Sequence, residues 1–349
     1  MVIDGRVVRI GIAGLGEMGQ LHLRNALEMD GVEVVAVAAA RPGHAERVAA
    51  ECAPGARATG YDELFAADDV DAVVLAARSI DHARHAISVL EHGKHLLLEK
   101  PGATTLADAE RLRAVAEAHP DAVAQVAYNR RFDTAFGEAR RRIQEGAIGR
   151  PLMALMTSRD MEWPEGENPR DTGGFLLDMA AHDYDMACWL LGQEPVEVDA
   201  ARQALVHPEL GEVDDCDNAL VRIRFDGGAL ATTHVSRTCA YGHDVRCEVV
   251  GTDGSVFVGN GAGGPGTTVV GRDRRDEFPG DFRARFEDGY RGELAAFVAA
   301  CRGEETEIPG LADDRRAVAI GVAARASAVA GRPLAVGEDW PWNGGFTEA

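Results

Sequence analysis

Only six of the 349 residues are cysteine, and no two of them are spaced as a zinc knuckle or a redox pair requires: they stand at 52, 188, 216, 239, 247 and 301. They read as small buried or half-buried thiols. The eleven histidines are scattered as well, and none falls in a His-Glu-x-x-His arrangement, so no metal is expected. Basic charge is also short. The 36 Lys and Arg against 57 Asp and Glu leave a formal charge of −21, which repels a polyanion, and no basic run with interleaved aromatics offsets it locally. Nucleic acid is therefore not an expected partner. No apolar run reaches the roughly 18 residues that span a bilayer. The N-terminus enters a strand-like run without a charged, apolar, small-residue leader, which predicts a cytoplasmic protein with no membrane partner.

What the chain does have is apolar mass. Hydrophobic residues make up 46% and charged residues 27%, the balance of a soluble globular protein with a core to bury. A chain of 349 residues is too long for one ordinary core and too short for three. Two domains are expected, residues 1–125 and 126–349.

Residues Val7 to Ala13 are β-branched and apolar and run into Gly14-Leu-Gly-Glu-Met-Gly19, after which Gln20 to Met29 has helical periodicity. A Gly-x-Gly-x-x-Gly alone says little. Between a buried strand and a helix it marks a dinucleotide-binding turn: Gly14 and Gly16 let the backbone approach a pyrophosphate, whose charge rests against the helix start at Glu17 and Met18. A second strand follows from Val32 to Ala38. About 20 residues past the last glycine, an NAD-selective protein carries an acidic side chain for the ribose hydroxyls. Here the positions read Ala38-Ala39-Ala40-Arg41. Without that carboxylate a 2′-phosphate is not repelled, and Arg41 can pair with one, so the NAD(P) site leans toward NADP. The alternative is an ordinary surface arginine before Pro42.

Further βα units follow. Ala72 to Ala76 is a continuous apolar strand, Asp81 to His92 a helix stopped by Gly93, and His95 to Leu98 another strand, an alternation that predicts a parallel sheet. That strand ends in Glu99-Lys100-Pro101, and ligands of open α/β sheets bind outside the carboxyl ends of strands. Lys100 is thereby placed where chemistry occurs, and Pro101 bars it from helical geometry. A helix from Leu106 to Ala118 and a strand from Val123 to Tyr128 complete the first domain.

The second half has a different grammar. After a helix around Thr134 to Glu145 come a strand from Leu152 to Ser158 and a helical stretch from Gly173 to Gly192. Four strands follow, Asn218–Phe225, Ala229–Val235, Arg246–Val250 and Val256–Val258, joined by turn signals such as Asp226-Gly-Gly and Asp253-Gly254. Gly259 to Gly266 reads as a mobile loop. Helices at Tyr290–Cys301 and Asp313–Ala330 close the chain, packing across the sheet or against the first domain. The fold class is α/β: an N-terminal Rossmann domain, then an α+β domain with a large, mostly antiparallel open sheet. Within the 173–192 stretch, Asp178, His182 and Asp185 stand at i, i+4 and i+7, the spacing of one helix face. The plain alternative is a solvated face.

Taken together, the Gly14–Gly19 turn, Glu99-Lys100-Pro101 and Gly174 with Asp178-x-x-x-His182 resemble the Gfo/Idh/MocA oxidoreductases. Asn129-Arg-Arg-Phe-Asp133, Ser158-Arg-Asp160, His182-Asp-Tyr-Asp185 and Ser236-Arg237 with Tyr241-Gly-His-Asp244 point to the family's inositol dehydrogenases. The resemblance implies NAD(P)-dependent oxidation of a secondary hydroxyl of a polyol and an oligomer, often a tetramer, in which the open sheet is buried. It implies that Lys100 hydrogen-bonds the reacting hydroxyl, that Asp178 holds that lysine or the substrate, and that His182 accepts the hydroxyl proton. An unperturbed imidazole, with a pKa of about 6.5, suits the last task. It further implies polyol contacts from Arg130, Asp160, Asp185 and Tyr241, with Arg130 and Arg131 unranked, and cofactor contacts from Ala77, Glu99 and Lys100. The chain departs from the family at Ala39 and at Ala77-Arg78-Ser79, where a Thr-Pro-like turn is usual; Ser158 replaces a histidine of one branch of the inositol dehydrogenases, while Ser-Arg-Asp resembles another branch. A dehydrogenase of a pyranose or other sugar derivative is the alternative within the class. A dinucleotide-binding regulator without catalysis is the alternative outside it, and such a protein has no use for the lysine, aspartate and histidine together.

Overall fold

In the computed structural model, residue 3 and residues 7–162, 168–259, 281–338 and 340 are described. Apart from Gly259, the expected glycine-rich loop lies outside them. The chain divides into two compact units, Met1–Asn129 with Asp288–Arg315, and Arg130–Glu287 with Arg316–Ala349.

The first unit alternates strands and helices: β1 (Val8–Ala13), α1 (Glu17–Leu27), β2 (Val32–Ala38), α2 (His44–Cys52), β3 (Arg57–Thr59), α3 (Tyr61–Ala66), β4 (Ala72–Leu75), α4 (Ser79–Glu91), β5 (His95–Leu98), α5 (Leu106–Ala118) and β6 (Ala124–Val126). The sheet order is β3-β2-β1-β4-β5-β6, and every pairing is parallel. Helices on both faces explain why β1, β4 and β5 are apolar runs without alternation. Val8, Ile10, Val73, Val74, Leu96 and Leu97 are all 0% exposed, and full burial of each such side chain contributes about 1.5–3 kcal/mol. The strand order reverses between β1 and β4, which start side by side and lead to opposite halves of the sheet. That reversal makes the crevice at their carboxyl ends the ligand position of such folds. Leu294, Phe297, Val298 and Cys301 join this core from far along the chain, the second of the two placements open to the helix at Tyr290–Cys301.

The second unit opens with a 3-10 turn (Asn129–Phe132). Then come α6 (Thr134–Gln144), β7 (Pro151–Arg159), α7 (Pro169–Thr172), α8 (Phe175–Asp178), α9 (Ala181–Leu191), β8 (Pro195–Gln203), α10 (Glu209–Glu212), β9 (Asn218–Phe225), β10 (Leu230–Ser236), β11 (Asp244–Gly251) and β12 (Ser255–Val258). The chain ends with α11 (Phe282–Cys301), α12 (Leu311–Ala330) and β13 (Leu334–Ala335). Helix α11 carries non-helical dihedrals at Phe286. The seven strands order as β12-β11-β7-β10-β9-β8-β13, antiparallel except for the parallel pair β7 and β10. Strand β9 alternates buried and exposed positions along its length, as a sheet covered on one face requires. No helix among the described residues is long and apolar enough to cross a membrane.

One expectation is corrected here. The stretch from Gly173 to Gly192 is two helices, α8 and α9, separated at Met179 and Ala180. Gly173 and Gly174 both have positive φ, 85° and 91°, which side chains resist, and this sharp entry sets α8 apart. Tyr184 on α9 donates to the Leu176 carbonyl at 3.0 Å and ties the two together.

Candidate active site

Glycine at 14, 16 and 19 serves three different needs. At Gly14, φ is 96° and a Cβ would lie 2.2 Å from the Ala76 carbonyl oxygen; at Gly19 it would lie 1.8 Å from the Gly14 oxygen. Those two allow strand, turn and helix to pack. Gly16 meets nothing within 4 Å, is exposed, and caps α1 in an extended conformation with no side-chain hydrogen bond. The first-turn N–H groups at Glu17 and Met18 have no acceptor within the helix. The open space at Gly16 fits a pyrophosphate, and the positive helix end beside it favours the charge. Arg41 is exposed just past β2, before α2, on which Arg47 reaches His44 Nδ1 at 2.8 Å and His44 Nε2 reaches the Leu15 carbonyl at 3.0 Å. These basic groups stand at the β2 end, where the adenosine ribose lies in such folds.

At the ends of β4 and β5, one buried imidazole lies between two turns. His82 Nδ1 is 2.8 Å from the Pro101 carbonyl and Nε2 is 3.0 Å from the Ala77 carbonyl, and burial pulls the ring below its ordinary pKa. Ala77 and the Lys100-Pro101 turn are thus registered to each other. Lys100 is one of two lysines among 36 basic residues. The other, Lys94, donates to the Ala67 carbonyl at 2.8 Å. Where arginine is used almost throughout, a lysine supplies what arginine does not, a compact ammonium that donates from one point. Glu99, expected as a cofactor contact, has a side chain turned into the first unit: it is 6% exposed, one oxygen is 2.7 Å from His22 Nε2, and the other accepts from the Lys100 backbone N–H at 3.2 Å. A carboxylate engaged inward on both oxygens faces the protein interior.

In the second unit the parallel pair builds the site. The register Arg159↔Ser236 sends the chain out at Asp160 and Arg237 side by side, with the Asp160 N–H on the Ser236 carbonyl at 2.8 Å. Arg237, 6% exposed, donates to Asp178 Oδ2 at 2.5 Å and lies over the Phe175 ring at 5.7 Å. His243 Nδ1 bonds Asp160 at 2.6 Å. Burial would raise the Asp160 carboxyl, but the His243 bond and the nearby guanidinium charges outweigh it and hold the carboxyl below its ordinary value. His182 follows on α9, half-buried.

Like Asp160, the other three expected polyol contacts are engaged within the protein. Arg130 donates to Asp183 at 2.5 Å and to Ser158 at 3.0 Å, all three buried, and Asp183 also accepts from Ser158 and from Thr233. Asp185 is 1% exposed and accepts from the Arg131 fork at 2.5 and 2.9 Å. The Tyr241 hydroxyl donates to Asp244 at 2.7 Å and accepts from Arg159 at 2.5 Å. Asp178, His182 and Asp185 therefore do not work as one face. Asp178 turns to Arg237 and Asp185 to Arg131, because a buried carboxylate is stable only against its own cation. Asp183, one residue past His182, is the carboxylate that anchors α9 to the sheet.

Sequence reasoning gave no role to Arg237, His243 or Asp215. The first two lie in motifs that carried the resemblance, and a strand end was their only local signal. Asp215 accepts the Phe175 N–H at 3.0 and 3.2 Å and so starts α8. Burial pushes its carboxyl up to about 6 against the pull of the Phe175 and Cys216 N–H groups. Between its ordinary value near 4 and about 6, the folded chain binds the proton that the unfolded chain has released, so this group's contribution to stability falls as pH rises through that window. Asp215→Asn, which mimics the neutral form, is expected to flatten the pH slope of the thermal midpoint there, and an unchanged slope would refute the assignment.

A parallel sheet with a phosphate turn after β1 and a lysine after β5 is the nucleotide-binding half of a nicotinamide-dependent oxidoreductase, here joined to a separate α/β unit. Residues 8–128 match the model of an oxidoreductase family with an NAD-binding Rossmann fold, and residues 136–257 match the GFO/IDH/MocA C-terminal domain. The chain belongs to the Gfo/Idh/MocA family of oxidoreductases. It is 34% identical to a scyllo-inositol 2-dehydrogenase (NAD(+)) of Bacillus subtilis over 94% of this chain and 96% of that protein. It is 33% identical to a myo-inositol 2-dehydrogenase of Thermotoga maritima over 92% and 96%. A crystal structure of a myo-inositol dehydrogenase from Corynebacterium glutamicum matches with a TM-score of 0.83 at 28% identity, covering 95% of this chain and 99% of that one.

Proposed function

We propose that the protein oxidises one secondary hydroxyl of a cyclitol, myo-inositol or a close relative, to the ketone. The observation that carries this is the presence of Lys100, Asp178 and His182 in a chain that is 34% identical, over 94% of its length, to a protein named for that chemistry on scyllo-inositol. The nicotinamide cofactor, held at Gly14, Gly16, Glu17 and Met18, supplies the hydride acceptor. Lys100 donates a hydrogen bond to the reacting oxygen and stabilises the charge that develops on it. His182 takes the hydroxyl proton. Arg237 neutralises and aims the Asp178 carboxylate, and Asp160, fixed by His243, accepts from a further hydroxyl. The test is cofactor reduction, followed at the nicotinamide absorbance, across inositol isomers, inosamines and pyranoses. Silence with every cyclitol sinks the substrate assignment, and turnover of a pyranose alone moves it to sugars.

The preference for NADP over NAD belongs to the same proposal. Ala39 offers no carboxylate, and Arg41 stands with His44 and Arg47 at the end of β2. Arg41→Ala is expected to raise the Kd for NADP about tenfold and that for NAD by less than about twofold. Equal effects would make Arg41 a surface residue. We further propose a homotetramer formed on the uncovered sheet face, where Leu155, Leu220 and Phe257 are 38%, 61% and 69% exposed; Phe257 and Leu155 fall in one row through Glu248, and Leu220 stands two residues along β9 from Arg222, the register partner of that row. A monomer in sedimentation equilibrium would refute it.

A further inference from the structure

One cluster in the first unit is used by neither the phosphate turn nor the reaction. His22 on α1, Glu99 after β5 and Glu293 on α11 bring their ligand atoms within 4.8 Å of one another, and they are 0%, 6% and 0% exposed. Glu99 has a donor on each oxygen, His22 Nε2 and the Lys100 N–H. Glu293 has none on either. From β6, Gln125 donates to the Glu293 backbone carbonyl at 2.9 Å, not to its carboxyl. On the same helix, Tyr290 meets the His22 ring edge-on at 6.4 Å.

A carboxylate buried without a donor is strongly disfavoured, and a second carboxylate beside it adds repulsion that water does not screen. Both penalties disappear when one proton sits on Glu293, the member with no donors, while Glu99 keeps the charge that its donors stabilise. Burial and the Glu99 charge both push the Glu293 carboxyl well above its ordinary value. A shared divalent cation fits less well. Ligand bonds of about 2.1 Å at tetrahedral angles set ligand atoms about 3.4 Å apart, whereas His22 and Glu99 stand at 2.7 Å, a hydrogen-bond length.

We propose that Glu293 is a positioning residue for the reaction: its neutral carboxyl closes the inner side of the His22–Glu99 pair, so that Glu99 holds one charge between His22 and the Lys100 backbone and fixes the turn that aims Lys100. This rests on Lys100 meeting the reacting hydroxyl. The test uses full-length Glu293→Gln, an isostere of the neutral acid, and Glu293→Ala. Infrared spectra of the wild type at neutral pH are expected to show a buried protonated-carboxyl C=O band that Glu293→Gln removes. Turnover of Glu293→Gln is expected within about threefold of wild type, and that of Glu293→Ala about tenfold or more below it with KM for the polyol little changed. Absence of the band, a glutamine variant as impaired as the alanine one, or a thermal midpoint raised by Zn2+ or Mn2+ in wild type but not in Glu293→Gln would each overturn the inference. The infrared result stands even where Glu293→Ala does not fold. Lys100→Met separates the two readings. Loss of turnover there with none in Glu293→Ala overturns only the positioning role, and full turnover in Lys100→Met overturns the assignment of Lys100 itself.

Discussion

Replacing His182 with alanine is expected to lower kcat about 10²- to 10⁴-fold, the usual contribution of a positioned general base, with the Kd for NAD within about twofold of wild type. The two readouts separate because the phosphate turn and His182 lie in different units of the chain. Loss of the base removes an interaction made as the proton moves, so kcat and kcat/KM should fall together. Restoration of part of the rate at high pH, where solvent hydroxide substitutes for the imidazole, is the expected signature. Isothermal titration with NAD and steady-state kinetics across pH check both halves. A His182→Ala enzyme at wild-type rate would remove the residue from the chemistry.

The second large effect is on Arg237. Its removal as Arg237→Met is expected to cost about 3–5 kcal/mol of stability, because Asp178, 8% exposed, keeps a buried charge without its cation. The double variant Arg237→Met with Asp178→Asn is expected to recover most of that loss, since the carboxylate that lost its guanidinium is then neutral as well. Activity should recover in neither, as both lose the aimed carboxylate. Urea unfolding of the two single variants and the double variant closes the cycle. Additive losses would mean that the 2.5 Å contact carries no coupling.

Legibility in the sequence followed the range of the cause. Strands β2 and β9 and helix α5 have the bounds that their apolar patterns predict, because burial on both faces or on one writes itself into adjacent residues. Strand β8 was missed: Pro195-Val-Glu-Val-Asp mixes charge into the apolar run, which blurs the alternation. The break between α8 and α9, at Met179 and Ala180, was missed because periodicity registers spacing and carries no signal for where a helix stops and the next begins. The inward turn of Glu99 depends on His22 and Glu293, which lie 77 and 194 positions away in the numbering.

The sequence by itself determined the class of both units, the phosphate turn, and Lys100, Asp178 and His182 as the residues to watch, since each is announced by neighbours a few positions off. Only the tertiary structure decided how the charges are shared. It gave Asp178 to Arg237, Asp185 to Arg131, Asp183 to Arg130 and Glu99 to His22. A buried charge is stable only beside the partner that the fold delivers, and that partner comes from another element, so no local pattern names it.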